Sequence, residues 1–138
     1  IIIDKDAKMI RVYLGDKNLT FKKKFKYSFE QLGKRFIGIA DFNGNGKLDV
    51  AVENSTANKP ISIFLGKGNG RLLKKHIPLA ISMNRFIEFI YSSVTDLNGD
   101  GKPDILASDL SGRFFSFINQ GKGNFSTNNF SIMQKIVL

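Results

Sequence analysis

Two segments of this chain repeat one pattern: Asp41-Phe42-Asn43-Gly44-Asn45-Gly46-Lys47-Leu48-Asp49 and Asp96-Leu97-Asn98-Gly99-Asp100-Gly101-Lys102-Pro103-Asp104. Each sets oxygen-bearing side chains at loop positions 1, 3, 5 and 9, with glycine at 4 and 6. Oxygen ligands at that spacing suit a loop wrapped around a hard cation, Ca2+ above all. The glycines permit the sharp turns that aim the oxygens inward. The segments begin 55 positions apart, and each continues into a β-prone apolar run, Val50-Ala51-Val52 or Ile105-Leu106-Ala107. A duplicated cation loop that feeds a strand confines the chain to an architecture of repeated strands.

The same residues exclude an EF-hand. That motif needs a bidentate Glu at position 12 and a helix after it. Position 12 is Val52 in the first loop and Ala107 in the second. The expected ligands are therefore the side chains of Asp41, Asn43, Asn45 and Asp49 at one site and of Asp96, Asn98, Asp100 and Asp104 at the other. The backbone carbonyls of Lys47 and Lys102 complete them at position 7, with both ammonium groups expected to point away.

The repeat reaches beyond the loops. Phe64-Leu-Gly-Lys-Gly-Asn-Gly-Arg-Leu72 aligns without gaps on Phe117-Ile-Asn-Gln-Gly-Lys-Gly-Asn-Phe125, 53 positions on. A weaker copy, Tyr13-Leu-Gly-Asp-Lys-Asn-Leu-Thr-Phe21, lies 51 positions before the first. Gly/Asn-rich turns between apolar runs mark hairpins. The periods differ between loop and hairpin, so a connection of variable length is expected at 54–60. Four short strands per unit follow: roughly 35–40, 48–53, 60–65 and 71–77, then 87–95, 104–108, 113–119 and 125–132. The Phe-rich alternation of Phe114, Phe115, Phe117, Phe125 and Phe130 is expected to form core between units.

A four-stranded unit at this period is the mark of a β-propeller blade. The loop, the Ile-Leu-Ala run and the Phe-Ile-Asn-Gln-Gly-Lys-Gly-Asn-Phe hairpin together resemble FG-GAP/VCBS repeats, the blades of integrin-α-type propellers. The resemblance covers nearly the whole chain and is closest in the last unit. It implies that each loop joins the first and second strands of a blade, that the calcium is structural, and that an intact ring has about seven blades. The fold expected is all-β, a fragment of a β-propeller built from four-stranded antiparallel blades. Its divisions are an incomplete first blade (1–32), a second (33–80), a third (81–132) and a possible first strand of a next blade (133–138). A chain of 138 residues cannot close a ring. Its uncovered faces are expected to pack on the remaining blades of a larger chain or on a second copy.

Composition narrows the function. There is no cysteine for a disulfide framework and no apolar run long enough to span a membrane. Calcium loops of low affinity fill where calcium is plentiful, which points to an extracellular, periplasmic or cell-surface setting. The net charge is +9 although five acids are spent in the two loops. Lysines concentrate at Lys22-Lys23-Lys24-Phe25-Lys26 and around Lys74-Lys75-His76, on expected edge strands, where they oppose edge pairing or meet an anionic glycan or protein ligand. No nucleic-acid motif accompanies them. His76 is the sole histidine and sits in a poor place for a catalytic base. The chain is thus expected to be no enzyme but an adhesion-type binding module. The competing reading is the rim of a propeller enzyme acting on polysaccharide, as a lyase does, or on phospholipid.

Overall fold

The structure, a computed structural model, describes residues 2–4, 9–15, 17–18, 20–28, 32–54, 58–83 and 85–131. The tail 133–138 and part of the variable connection at 54–60 fall outside them. The described residues form eleven strands and no helix. They are β1 (Ile2–Asp4), β2 (Met9–Gly15), β3 (Phe21–Ser28), β4 (Leu32–Ala40), β5 (Asp49–Asn54), β6 (Ile61–Gly66), β7 (Leu72–Leu79), β8 (Phe89–Thr95), β9 (Asp104–Asp109), β10 (Arg113–Gly121) and β11 (Asn124–Ser131). Pairing divides them into three antiparallel sheets, β1-β2-β3, β4-β5-β6-β7 and β8-β9-β10-β11. Each is a meander in which neighbours in sequence are neighbours in space. All eight strands expected for the two later units are present, with ends shifted by a few residues.

Period-2 alternation shows how the sheets pack. On β5, Val50 and Val52 face one way and Ala51 the other, and all three are fully buried. Val50, Val52, Phe64 and Leu72 pack with Ile10 and Val12 of the first sheet, and Phe25 and Tyr27 close that cluster. Ala51, Ile61 and Ile63 pack instead with Ile105, Ala107, Phe115 and Phe117 of the third sheet. The middle sheet is therefore covered on both faces. At about 25 cal/mol per Å2 of apolar surface, such two-sided burial is its main source of stability.

The second and third sheets also meet closely where the Gly38 backbone lies against the Val94 side chain. A Cβ at Gly38 would stand 2.3 Å from Cγ2 of Val94, so a larger residue there would force the second and third sheets apart. Polar groups are paired across the same junction, one pair buried and one at the surface. Glu53 Oε1 accepts the N–H of Phe89 at 3.0 Å, and Arg35 donates to the carbonyl of Ile90 at 2.8 Å. Among the described residues no buried side-chain N or O lacks a partner.

One expectation needs correction. Phe115 and Phe117 are core and Phe125 packs against them. Phe114 and Phe130, however, lie opposite each other on the far face of the third sheet and stack with centroids 5.6 Å apart. Strand alternation requires this: Phe114 and Phe115 are successive residues and cannot share a face. Tyr91 and Phe130 on that outer face are exposed.

Candidate metal loops

Both loops lie at the same place in their sheets, between β4 and β5 and between β8 and β9. Their glycines at positions 4 and 6 all have positive φ, 73° to 79°, a region that L side chains avoid. The resulting coil turns the position-1 carboxylate onto backbone N–H groups. Asp41 Oδ1 accepts from Asn45 at 3.0 Å and Oδ2 from Gly46 at 2.6 Å. Asp96 Oδ1 accepts from Gly99 and Asp100, and Oδ2 from Gly101 at 2.8 Å. Positions 3 and 5 do the same on a shorter reach. Asn43 Oδ1 accepts from Asn45 and Asn98 Oδ1 from Asp100, each at 3.1 Å. Asn45 Oδ1 and Asp100 Oδ1 each accept the N–H two residues on, from Lys47 and Lys102, at 2.9 Å. The two loops thus share one internal hydrogen-bond pattern.

Position 9 differs from the rest. Asp49 and Asp104 are fully buried, while the other side chains of the sets lie at or near the surface. Asp49 Oδ2 accepts from Phe42 at 3.0 Å and Oδ1 from Gly66 at 2.8 Å. Asp104 Oδ2 accepts from Leu97 and Oδ1 from Asn119, both at 2.8 Å. Each carboxylate therefore ties its own loop to the end of the next hairpin. Burial pushes the Asp49 carboxyl above its ordinary value, against the lowering effect of the Gly66 and Phe42 N–H groups. The Asp41 charge adds to the rise.

Two features depart from the sequence reading. The Lys102 ammonium turns toward the loop and pairs with Asp100 Oδ2 at 2.8 Å, where it was expected to point away. Its hydrogen bond holds the Asp100 carboxyl below the usual range. The reason is local: positions 5 and 7 are near neighbours on the tight coil, and opposite charges meet. The other feature is Asn119, which the sequence reading passed over. Its side-chain amide donates to the carbonyl of Phe42 at 2.9 Å and to that of Pro103 at 3.2 Å, so it spans the two loops. The signal that could have found it is the repeat itself, because Asn119 stands where the preceding unit has Gly66. A cavity of about 450 Å3 opens beside it, lined among others by Asp41, Asn43, Lys102 and Lys122.

Among the described residues, no three His, Cys, Asp or Glu side chains gather in a way that would hold a metal ion. The first loop depends on Asn43 and Asn45 as much as on its acids, and position 9 in both loops is turned to backbone donors. The donors in both sets are all oxygens, which suits a hard cation and not a soft one. No protein-family model, curated protein or solved structure matches this chain. What the geometry defines is an all-β protein of three packed antiparallel sheets with a duplicated oxygen-lined loop at one end.

Proposed function

We propose that this chain is part of a calcium-stabilised β-propeller of the FG-GAP/VCBS kind, and that it serves outside the cell or at its surface as a binding or adhesion module for protein or glycan. Each loop holds one Ca2+ through the side-chain oxygens at positions 1, 3, 5 and 9 and the carbonyl at position 7. The observation that carries the reading is the shared hydrogen-bond pattern of the two loops, which orders the oxygens of Asp41, Asn43 and Asn45 and those of Asp96, Asn98 and Asp100 in the same way. Those hydrogen bonds leave room for a cation, because a carboxylate has about four acceptor positions. Calcium here is structural. It neutralises acids gathered at one point and pins the first strand of each sheet to the second.

Calorimetric titration tests this reading. Ca2+ should bind at two sites, the one at 96–104 more tightly because it brings three carboxylates against two. Asp41→Ala and Asp96→Ala should each remove one site. Chelation should lower the melting temperature, and Mg2+ should restore little of it, since it gives up its water reluctantly and demands octahedral geometry. No heat of binding, with a melting curve indifferent to chelator, would reject calcium.

A further inference from the structure

β3 and β7 are edge strands of adjacent sheets, and two contacts join the start of β7 to β3. The Arg71 guanidinium lies 5.2 Å above the centre of the Phe25 ring, and the Leu72 N–H donates to the Tyr27 hydroxyl at 2.9 Å. Lys22 and Lys26 on β3, Lys74 and Lys75 on β7, and Arg71 beside them are all exposed. Neither strand contains an acidic residue. Lysine on an edge strand has an ordinary explanation, the blocking of edge-to-edge pairing. The third sheet argues that this is not the whole reason. Its own edge strand β11 occupies the equivalent place and reads Asn-Phe-Ser-Thr-Asn-Asn-Phe-Ser, with no charge at all. Protection would be needed on all three of these last strands. Among β3, β7 and β11, only the two that touch carry positive charge.

We infer that the rim formed by the outer edges of β3 and β7, flanked by basic side chains such as Lys74 and Lys75 from opposite faces of the strand, binds a linear anionic polysaccharide bearing sulfate or carboxylate groups. This deepens the module reading above and rests on it for the class of partner. An extended polymer with anions at intervals meets several of these cations at once, so contacts that are weak singly add up. Nucleic acid fits the surface less well. Phe25 and Tyr27 turn inward to the core, which leaves Phe21 as the exposed ring on these strands. Single strands are held by rows of stacked rings, which these two strands do not offer.

The test measures binding of the 138-residue chain to heparin, polygalacturonate, neutral dextran and a single-stranded oligodeoxynucleotide at several salt concentrations. Heparin or polygalacturonate should bind and weaken as salt rises, and dextran should not bind. Lys22→Ser/Lys26→Ser and Lys74→Ser/Lys75→Ser should each lower that affinity about fivefold or more. Lys59→Ser/Arg85→Ser removes the same charge from exposed sites elsewhere and should change it less than about twofold. Circular dichroism confirms that each variant is folded. Equal losses in all three variants, tighter binding of the oligonucleotide, or no polyanion binding would overturn the inference. A Ca2+ titration on the same sample separates the two proposals. Calcium bound without polyanion sinks only this inference, and polyanion bound without calcium sinks only the cation reading.

Discussion

Asn119 and Phe42 are 77 positions apart, yet the side-chain amide of one donates to the backbone carbonyl of the other at 2.9 Å in a buried position. The Phe42 N–H in turn donates to Asp49, and the Asn119 N–H donates to Asp104. The position-9 acids of the two loops are thereby joined through two residues, Phe42 and Asn119, and three hydrogen bonds. Asn119→Ala would strip the buried Phe42 carbonyl and the part-buried Pro103 carbonyl of their donor, a loss of about 1–3 kcal/mol. Denaturant unfolding of wild type and variant measures it. An unchanged midpoint would mean that the link contributes nothing to holding the second and third sheets together.

Asp49 and Gly66 form a second linked pair. The carboxylate accepts the Gly66 N–H, and a Cβ at Gly66 would stand 2.0 Å from the carbonyl oxygen of Leu48. Gly66→Ala must push β6 away from the loop, and Asp49→Ala leaves two buried N–H groups without an acceptor. Each should cost on the order of 3 kcal/mol or more, while Asp41→Ala at the loop surface should cost less than about 1 kcal/mol in chelator. Thermal melts of the three proteins in chelator give the order, and a Gly66→Ala protein as stable as wild type would contradict the close approach.

His76 packs against the Phe64 ring, with centroids 5.1 Å apart, and burial lowers its pKa from the ordinary 6.5. As pH falls, the unfolded chain takes up this proton before the folded one does. The contribution is whole above pH 6.5 and shrinks as pH drops from there to the lower folded value. Stability measured across that window should decline toward acid, and His76→Phe should flatten the decline. The chain has one histidine, which makes the assignment direct. A His76→Phe profile that keeps the wild-type slope would place its origin elsewhere.

The outer face of the third sheet exposes Tyr91 and Phe130, with Phe114 beneath. By the repeat, this face corresponds to the side of the middle sheet that carries Ala51, Ile61 and Ile63, which the third sheet covers. A face built like a covered one and left open should associate. Light scattering on the isolated chain should report species larger than 15.4 kDa, and Phe130→Ser with Tyr91→Ser should shift them toward the monomer. A monodisperse wild-type monomer would show that the open face is tolerated in water.

The strands, the hairpins and both loops were legible in the sequence because they depend on neighbours. Glycine at positions 4 and 6 sets the coil of 41–49 and 96–104, and apolar alternation at β5 and β9 sets their strands, whatever the rest of the chain does. The repeat added the grouping into sheets, since like segments form like structures. The partners across sheets were not legible. The sequence marks Phe114 and Phe115 both as apolar, and only the stacking of one sheet on another decides that Phe115 is core and Phe114 is not. Asn119 reads as a turn residue until the hairpin that carries it is laid against Phe42. Arg71 over Phe25, and with it the meeting of two lysine-bearing edges, likewise exists only once the sheets are packed. Local φ/ψ preference is a property of a few adjacent residues, whereas burial and long-range hydrogen bonds are properties of chain segments that the tertiary fold alone brings within reach.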